Sequence, residues 1–238
     1  LDIKGIASAQ DTAARLNNIF LQAKMSAEVI AKGLEKKPRT QEEVPVLIKD
    51  MITTLNAECP DLVGIAIAYN PEILVPGEQY NGYVGFMRDG EFRLVHWNDG
   101  AFNYFQQDWF REPVTRGTSM WTRPFKAEAI SGETLSSYAV PFAKNIAGEM
   151  VPAGVVVVDS TGGTLERYLQ NISLTGSSEL DSQCRTFLMN DAGITIASLG
   201  GALPVNEPVT DSDTAEYKKF QTVFETPAGK QSFKHISI

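Results

Sequence analysis

Cysteine and histidine are nearly absent from this chain. Cys59 and Cys184 lie far apart, and so do His96 and His235. Two separated histidines exclude a His-based zinc site. The cysteines are either two idle thiols or one disulfide of an oxidising compartment, and the sequence leaves both open. No cluster of Lys and Arg occurs, and the net charge is −8. That balance argues against nucleic acid as a partner. No apolar run approaches the ~18 residues of a membrane span. Leu1-Asp2-Ile3-Lys4 lacks the apolar core of a signal peptide. Because the chain opens without Met, the expectation is a piece of a longer protein, and composition leaves open whether membrane segments flank it.

Catalytic motifs are missing as well. There is no nucleophile elbow, P-loop or HExxH. Ser119, Ser136 and Ser137 have no histidine nearby in sequence to activate them. Asp181, Asp191, Asp211 and Asp213 lack the D-x-D-x-D-G spacing of a calcium loop. The reading is therefore a protein that is not an enzyme, with no metal and no cofactor. A hydrolase stays as a remote alternative.

What is present begins with a helix. From residue 3 to about 35, Ile6, Ala9, Ala13, Leu16, Phe20, Ala23, Ala27, Ile30 and Leu34 recur at three- and four-residue spacing. At ~1.5 Å per residue this helix is roughly 45–50 Å long. It either packs along its own sheet or pairs with a second copy of itself. Thr40 with Glu43 forms the signature of a capping box for a second helix, which Pro60 ends.

The pattern then turns strand-like. LVGIAIAY (62–69) is a β-rich run, and Asp89-Gly90 joins two strands in a hairpin. A helix is predicted from Tyr104 to about Thr115. Strands are predicted at about 119–126, 134–142 and 151–158, with a short helix after Gly162-Gly163. Ser173 to Asp181 marks a boundary, and CRTFLMNDAGITIASLG beyond it reads as strand, turn, strand. The fold class is α+β: a long N-terminal helix (1–39), a strand-rich subdomain (40–172) and a smaller one (173–238). With three strands the last looks incomplete.

The stretch from Trp109 to Asp159 concentrates the chemistry. Trp109-Phe110 is an aromatic pair; Trp121, Arg123 and Phe125 recur at period two; an apolar strand ends on Asp159. Aromatic walls with few charges describe a ligand pocket. Trp109 and Phe110 are either pocket wall or core. If Phe125 faces a pocket, strand alternation puts Trp121 and Arg123 there too. Arg123 would then clamp a ligand carboxylate, unless it pairs with Glu128 or Glu133, or Pro124 breaks the alternation. Asp159 is a partner for a ligand amine or hydroxyl, a cap for the next helix, or a partner for Arg123. Tyr138 is a wall or a core residue.

The ordered set of long helix, Trp-Phe pair, WTRPF, SSYAVPF, VVVVD and FLMNDAGITIAS resembles the double Cache sensor domain. The resemblance implies two PAS-like subdomains and an extracytoplasmic place in a bacterial receptor: chemoreceptor, sensor histidine kinase or membrane-bound phosphatase. It implies a small-molecule ligand in the distal subdomain and tethering to a membrane by segments outside this sequence, a role that a homodimer through the long helix would suit. It also maps the amino-acid-binding pattern of Tyr, Arg, Trp-Tyr, Tyr and Asp onto Phe102, Gln107, Trp109, Phe110, Phe125 and Asp159. The carboxylate-binding Arg is thus replaced by Gln107, and the ligand's charge is expected to meet Arg123. The ligand class stays broad: a small carboxylate, amine or similar metabolite. A protein-interaction module with an empty pocket is the alternative.

Overall fold

A computed structural model describes residues 3–127, 132–172, 187–189 and 195–198. Helix α1 (Ile3–Lys36) runs unbroken, as its periodicity predicts. Its buried positions include Leu16, Phe20, Ala23, Ala27, Ile30 and Leu34, the spacing read from the sequence. Two compact units divide the chain: Ile19–Thr161, and Leu1–Asn18 with Gly162–Ile238.

The larger unit is built on one antiparallel sheet. After α2 (Glu43–Glu58) come β1 (Leu62–Tyr69), β2 (Gly82–Arg88) and β3 (Glu91–Trp97). A 3-10 turn (Tyr104–Gln106) and α3 (Asp108–Arg116) precede two short edge pieces, β4 (Met120–Trp121) and β5 (Phe125–Lys126). The long hairpin β6 (Thr134–Ile146) and β7 (Glu149–Thr161) closes the unit. Strand order is β3-β2-β1-β7-β6-β4, with β5 also on β6. The Asp89-Gly90 hairpin forms as expected, pairing Arg88 with Glu91.

At the start of α2 the capping pair is half formed. The Glu43 carboxylate accepts the Thr40 backbone N–H at 2.9 Å, while the helix itself begins at Glu43. The helix expected from Tyr104 splits at Gln107, whose extended backbone (φ −77°, ψ 138°) separates the 3-10 turn from α3.

Period-two alternation divides the sheet between two cores. Ile48 of α2 lies against Gly85, and Phe20 of α1 meets Trp121, on one face. The opposite face carries Ala66, Ala68, Val84, Phe86, Ala139, Val155 and Val157 under Trp97, Tyr104, Trp109 and Phe110. Tyr104 pins this second core. Its hydroxyl donates to the Tyr69 carbonyl and accepts the Asn81 N–H, both at 2.9 Å.

In the other unit, α4 (Gly162–Gln170) is followed by β8 (Phe187–Met189) and β9 (Thr195–Ser198). The two strands pair antiparallel, as the strand–turn–strand reading requires. Cys59 is a free buried thiol. Cys184, His235, Glu128 and the four aspartates from Asp181 to Asp213 lie outside the described residues. No helix among the described residues is long and apolar enough to cross a membrane.

Candidate functional site

A cavity of about 130 Å³ opens on the second face of the sheet. Its floor is Ala66 of β1, Leu135 of β6, and Val157 and Asp159 of β7. Phe102, Gln107 and Trp109 cover it, Trp97 closes one side, and Phe125, Lys126 and Ala127 the other. The volume is well below the ~300 Å³ at which drug-sized pockets begin.

Aromatic rings make most of the wall. The Trp97 ring lies 4.9 Å from Phe102 and 5.9 Å from Trp109 between centroids. Trp97 fits because it faces Gly82 across the β2–β3 ladder. A Cβ at Gly82 would stand 2.9 Å from the Trp97 ring and 3.0 Å from Tyr104. The sequence reading missed Trp97. The signal available was a glycine opposite an aromatic at the hairpin's open end, which marks close approach.

Asp159 supplies the buried charge. It is 3% exposed, and its Oδ1 accepts the Ser137 hydroxyl at 2.6 Å. Ser137 is its direct register partner on β6, and Gly64 its partner on β1. Burial pushes the carboxyl up to about 6, and the Ser137 hydrogen bond pulls it partly back. Asp159 therefore neither caps α4, which starts at Gly162, nor pairs with Arg123. No ion pair reaches it among the described residues.

Of the eight residues singled out in the sequence, Gln107, Trp109, Phe125 and Asp159 meet at this cavity. Phe110, Trp121, Arg123 and Tyr138 do not. Phe110 is buried in the aromatic core, edge-on to Tyr104 at 5.2 Å. Trp121 packs between Phe20 of α1 (4.9 Å) and Tyr138 (5.2 Å), on the opposite face of the sheet. Tyr138 reaches Ser119 Oγ at 3.0 Å there. Arg123 is exposed to solvent.

A one-residue bulge causes these differences. Trp121 pairs with Tyr138, but Phe125 pairs with Leu135. Four steps on the edge strand thus match three on β6. Residues paired across a ladder share a face, and Tyr138 and Leu135 face opposite ways. Trp121 and Phe125 are therefore turned apart despite their even spacing. Thr122 still bonds Ser137 through both backbone and hydroxyl, so the slip falls on Arg123-Pro124. Proline has no N–H for the ladder and belongs at such an edge.

Chemically the cavity holds one buried carboxylate, one neutral amide, an aromatic wall and a lysine at an exposed position. Among the described residues of the lining, no base stands beside an accessible nucleophile. Asp159 and Ser137 are close, but Ser137 is fully buried and spends its proton on the carboxylate.

Residues 48–166, half the chain, match the family model described as methyl-accepting chemotaxis protein-like, first PDC sensor domain. No curated protein matches. Among solved structures, one titled methyl-accepting chemotaxis protein X superposes with a TM-score of 0.66 at 17% identity. That match covers 92% of this chain and 80% of the other. The extracellular domain of a protein described as a histidine kinase gives 0.60 at 16% identity, with 92% and 81% covered. The ligand-binding domain of the Pseudomonas aeruginosa amino acid chemoreceptor PctC, in complex with GABA, gives 0.54 at 16%, with 85% and 79% covered. At these identities the likeness shows a shared fold.

Proposed function

The chain belongs to the family of methyl-accepting chemotaxis protein-like first PDC sensor domains, and from that premise we propose that it is the extracytoplasmic sensing part of a bacterial transmembrane receptor. A small metabolite enters the cavity under α3, and its binding shifts the protein between two states. The sensor reading rests on one observation above the others. Phe102, Gln107, Trp109, Phe125 and Asp159, scattered over 58 positions of sequence, line one cavity inside the family-matched segment. That PctC is described with GABA bound supports a ligand of similar size here.

Transmission is part of the same reading. The strand that holds Asp159 through Ser137 presents Tyr138 and Ala143 to α1. Ala143 donates its N–H to Glu35 at 3.0 Å, and Tyr138 lies 3.5 Å from Glu28. Only a ligand that binds one state better than the other moves such an equilibrium.

Homodimerisation through α1 belongs to the proposal too. Leu21, Met25 and Val29, at four-residue spacing, are 47%, 51% and 63% exposed. Three large apolar side chains in one stripe of a helix are what a second copy would cover.

A thermal-shift screen with amino acids, amines, carboxylates and sugars tests the sensor reading. A cavity ligand raises the melting temperature by mass action, by an amount that grows with its concentration. If no class does so, the sensor reading falls and an interaction module takes its place.

A further inference from the structure

We infer that the chain carries a second, inorganic site: a small monovalent anion of chloride size, held by Arg39, Tyr69 and Lys144 at the carbonyl end of α1. This site shares no lining residue with the cavity described above and does not depend on the sensor reading.

Three separate segments build it. Arg39 comes from the linker between α1 and α2, Tyr69 ends β1, and Lys144 lies on β6. All three line one small cavity whose other walls are apolar, Leu34, Ile73 and Phe142 among them. The lining thus carries two positive charges and no carboxylate, in a chain whose net charge is −8. Like charges drawn to one small space repel, and a counter-ion between them relieves the repulsion.

Each of the three has a proton to give. Tyr69 is 4% exposed, and its hydroxyl has no hydrogen-bond partner. A buried donor left in that state is costly. Burial pushes the ionisation of this hydroxyl up, Tyr83 adds to the rise, and the Arg39 guanidinium pulls it partly back. The phenol therefore keeps its proton, within the field of Arg39. Lys144 gives one N–H to the Ile73 carbonyl at 2.7 Å, which leaves two. Arg39 reaches Glu43 only at 3.8 Å, beyond hydrogen-bond range. Glu43 is already engaged by the Thr40 N–H. Glu35 of α1 is exposed and turned to the Ala143 N–H, which it accepts at 3.0 Å.

Size selects the guest. The cavity measures about 10 Å³, which is the room one water needs. A halide is of that order, and an organic metabolite is not. Water would give the Tyr69 hydroxyl an acceptor but leave the two cations facing each other. An anion answers both.

Thermal melting of the full chain reads the site, at pH 7.5 and about 150 mM total sodium salt, as gluconate is exchanged for chloride or bromide. The melting temperature is expected to rise by about 3 °C over the exchange, growing with halide concentration as mass action demands. Tyr69→Phe and Arg39→Gln are expected to lose that rise. Arg123→Gln, which alters an exposed arginine elsewhere, is expected to keep it. Sulfate stabilises proteins generally by exclusion from their surface, so it is expected to move parent and variants alike. Circular dichroism establishes that each variant is folded; should Arg39→Gln not fold, Lys144→Gln replaces it. Anomalous diffraction from crystals grown in bromide is expected to show a peak between Arg39 and the Tyr69 hydroxyl. A flat halide response in the parent overturns the site and leaves Arg39 and Lys144 as partners for the carbonyl end of α1. An equal rise in Tyr69→Phe and Arg39→Gln overturns it too, and so does bromide found only elsewhere on the protein.

Discussion

Ser137 and Asp159 face each other across the β6–β7 ladder, and the serine hydroxyl gives the buried carboxylate its hydrogen bond at 2.6 Å. This pair couples the stability of the sheet to the electrostatics of the cavity. Its consequences can be measured without any ligand in hand.

The first concerns pH. Asp159 has a native carboxyl raised to about 6 by burial, against roughly 3.9 in an unfolded chain. Between those values the native state binds more protons than the unfolded state. This group therefore stabilises the fold as pH falls from 7 towards 4, the reverse of an ion-paired carboxylate. The amplitude is on the order of 2–3 kcal/mol. Around Asp159 stand Ser137 from β6, Gly64 from β1, Gln107 and Trp109 beside the cavity, and Lys126 from β5, the one other charged group of the lining. In urea denaturation, Asp159→Asn should be more stable than the parent at pH 7.5 and lose this part of the pH dependence. Parallel pH profiles for the two proteins would sink the idea.

Ser137→Ala removes the donor and leaves the carboxylate buried. An unsatisfied buried acceptor costs about 1–3 kcal/mol, more when charged. The variant should lose that much at pH 7.5 and much less at pH 5, where Asp159 is protonated. An equal loss at both pH values would mean that packing, and not the hydrogen bond, is responsible.

The bulge at Arg123-Pro124 separates two aromatics that look equivalent in sequence. Phe125→Ala should change ligand affinity, because Phe125 lines the cavity. Trp121→Ala should cost about 3 kcal/mol of stability, as large aromatic truncations do, because it packs on Phe20 and Tyr138. Arg123→Ala should leave both within error, as exposed substitutions do. Loss of affinity in Arg123→Ala would restore that arginine to the site.

Tyr104→Phe removes a hydroxyl that joins β1 to the loop before β2. The Tyr69 carbonyl and the Asn81 N–H, both at 2.9 Å, would lose their partner. A loss of about 1–3 kcal/mol is expected, seen as a lower denaturation midpoint with unchanged slope. An unchanged midpoint would show that water replaces the hydroxyl.

The exposed stripe of α1 has its own test. Met25→Glu puts a charge at the centre of Leu21, Met25 and Val29. Sedimentation at rising concentration should show dimer for the parent and monomer for the variant. A parent that stays monomeric throughout removes the dimer from the proposal.

The sequence by itself determined many of the elements. The three- and four-residue spacing of α1 was enough, because a helix buries one stripe and the stripe is written locally. The Asp89-Gly90 turn and the β6–β7 hairpin were equally legible, since their signals lie within a few residues of each other. The resemblance to sensor domains carried Phe102, Gln107, Trp109, Phe125 and Asp159 to one site, and the cavity contains all five. It did not place Phe110, which turns into the core.

Tertiary structure alone decided what the cavity charge is. From the sequence, Arg123 shares the parity of Phe125, and parity is all that a strand pattern records. One extra residue opposite β6 reverses that parity, and nothing within Trp121–Phe125 except Pro124 announces it. Trp97, Ala66 and Leu135 enter the cavity for the same kind of reason: cross-strand register is a relation between distant segments, set when the sheet assembles. Asp159 was legible as a carboxylate at a strand end. That it faces Ser137 on one side and the bare Cα of Gly64 on the other became visible only when β1, β7 and β6 lay side by side.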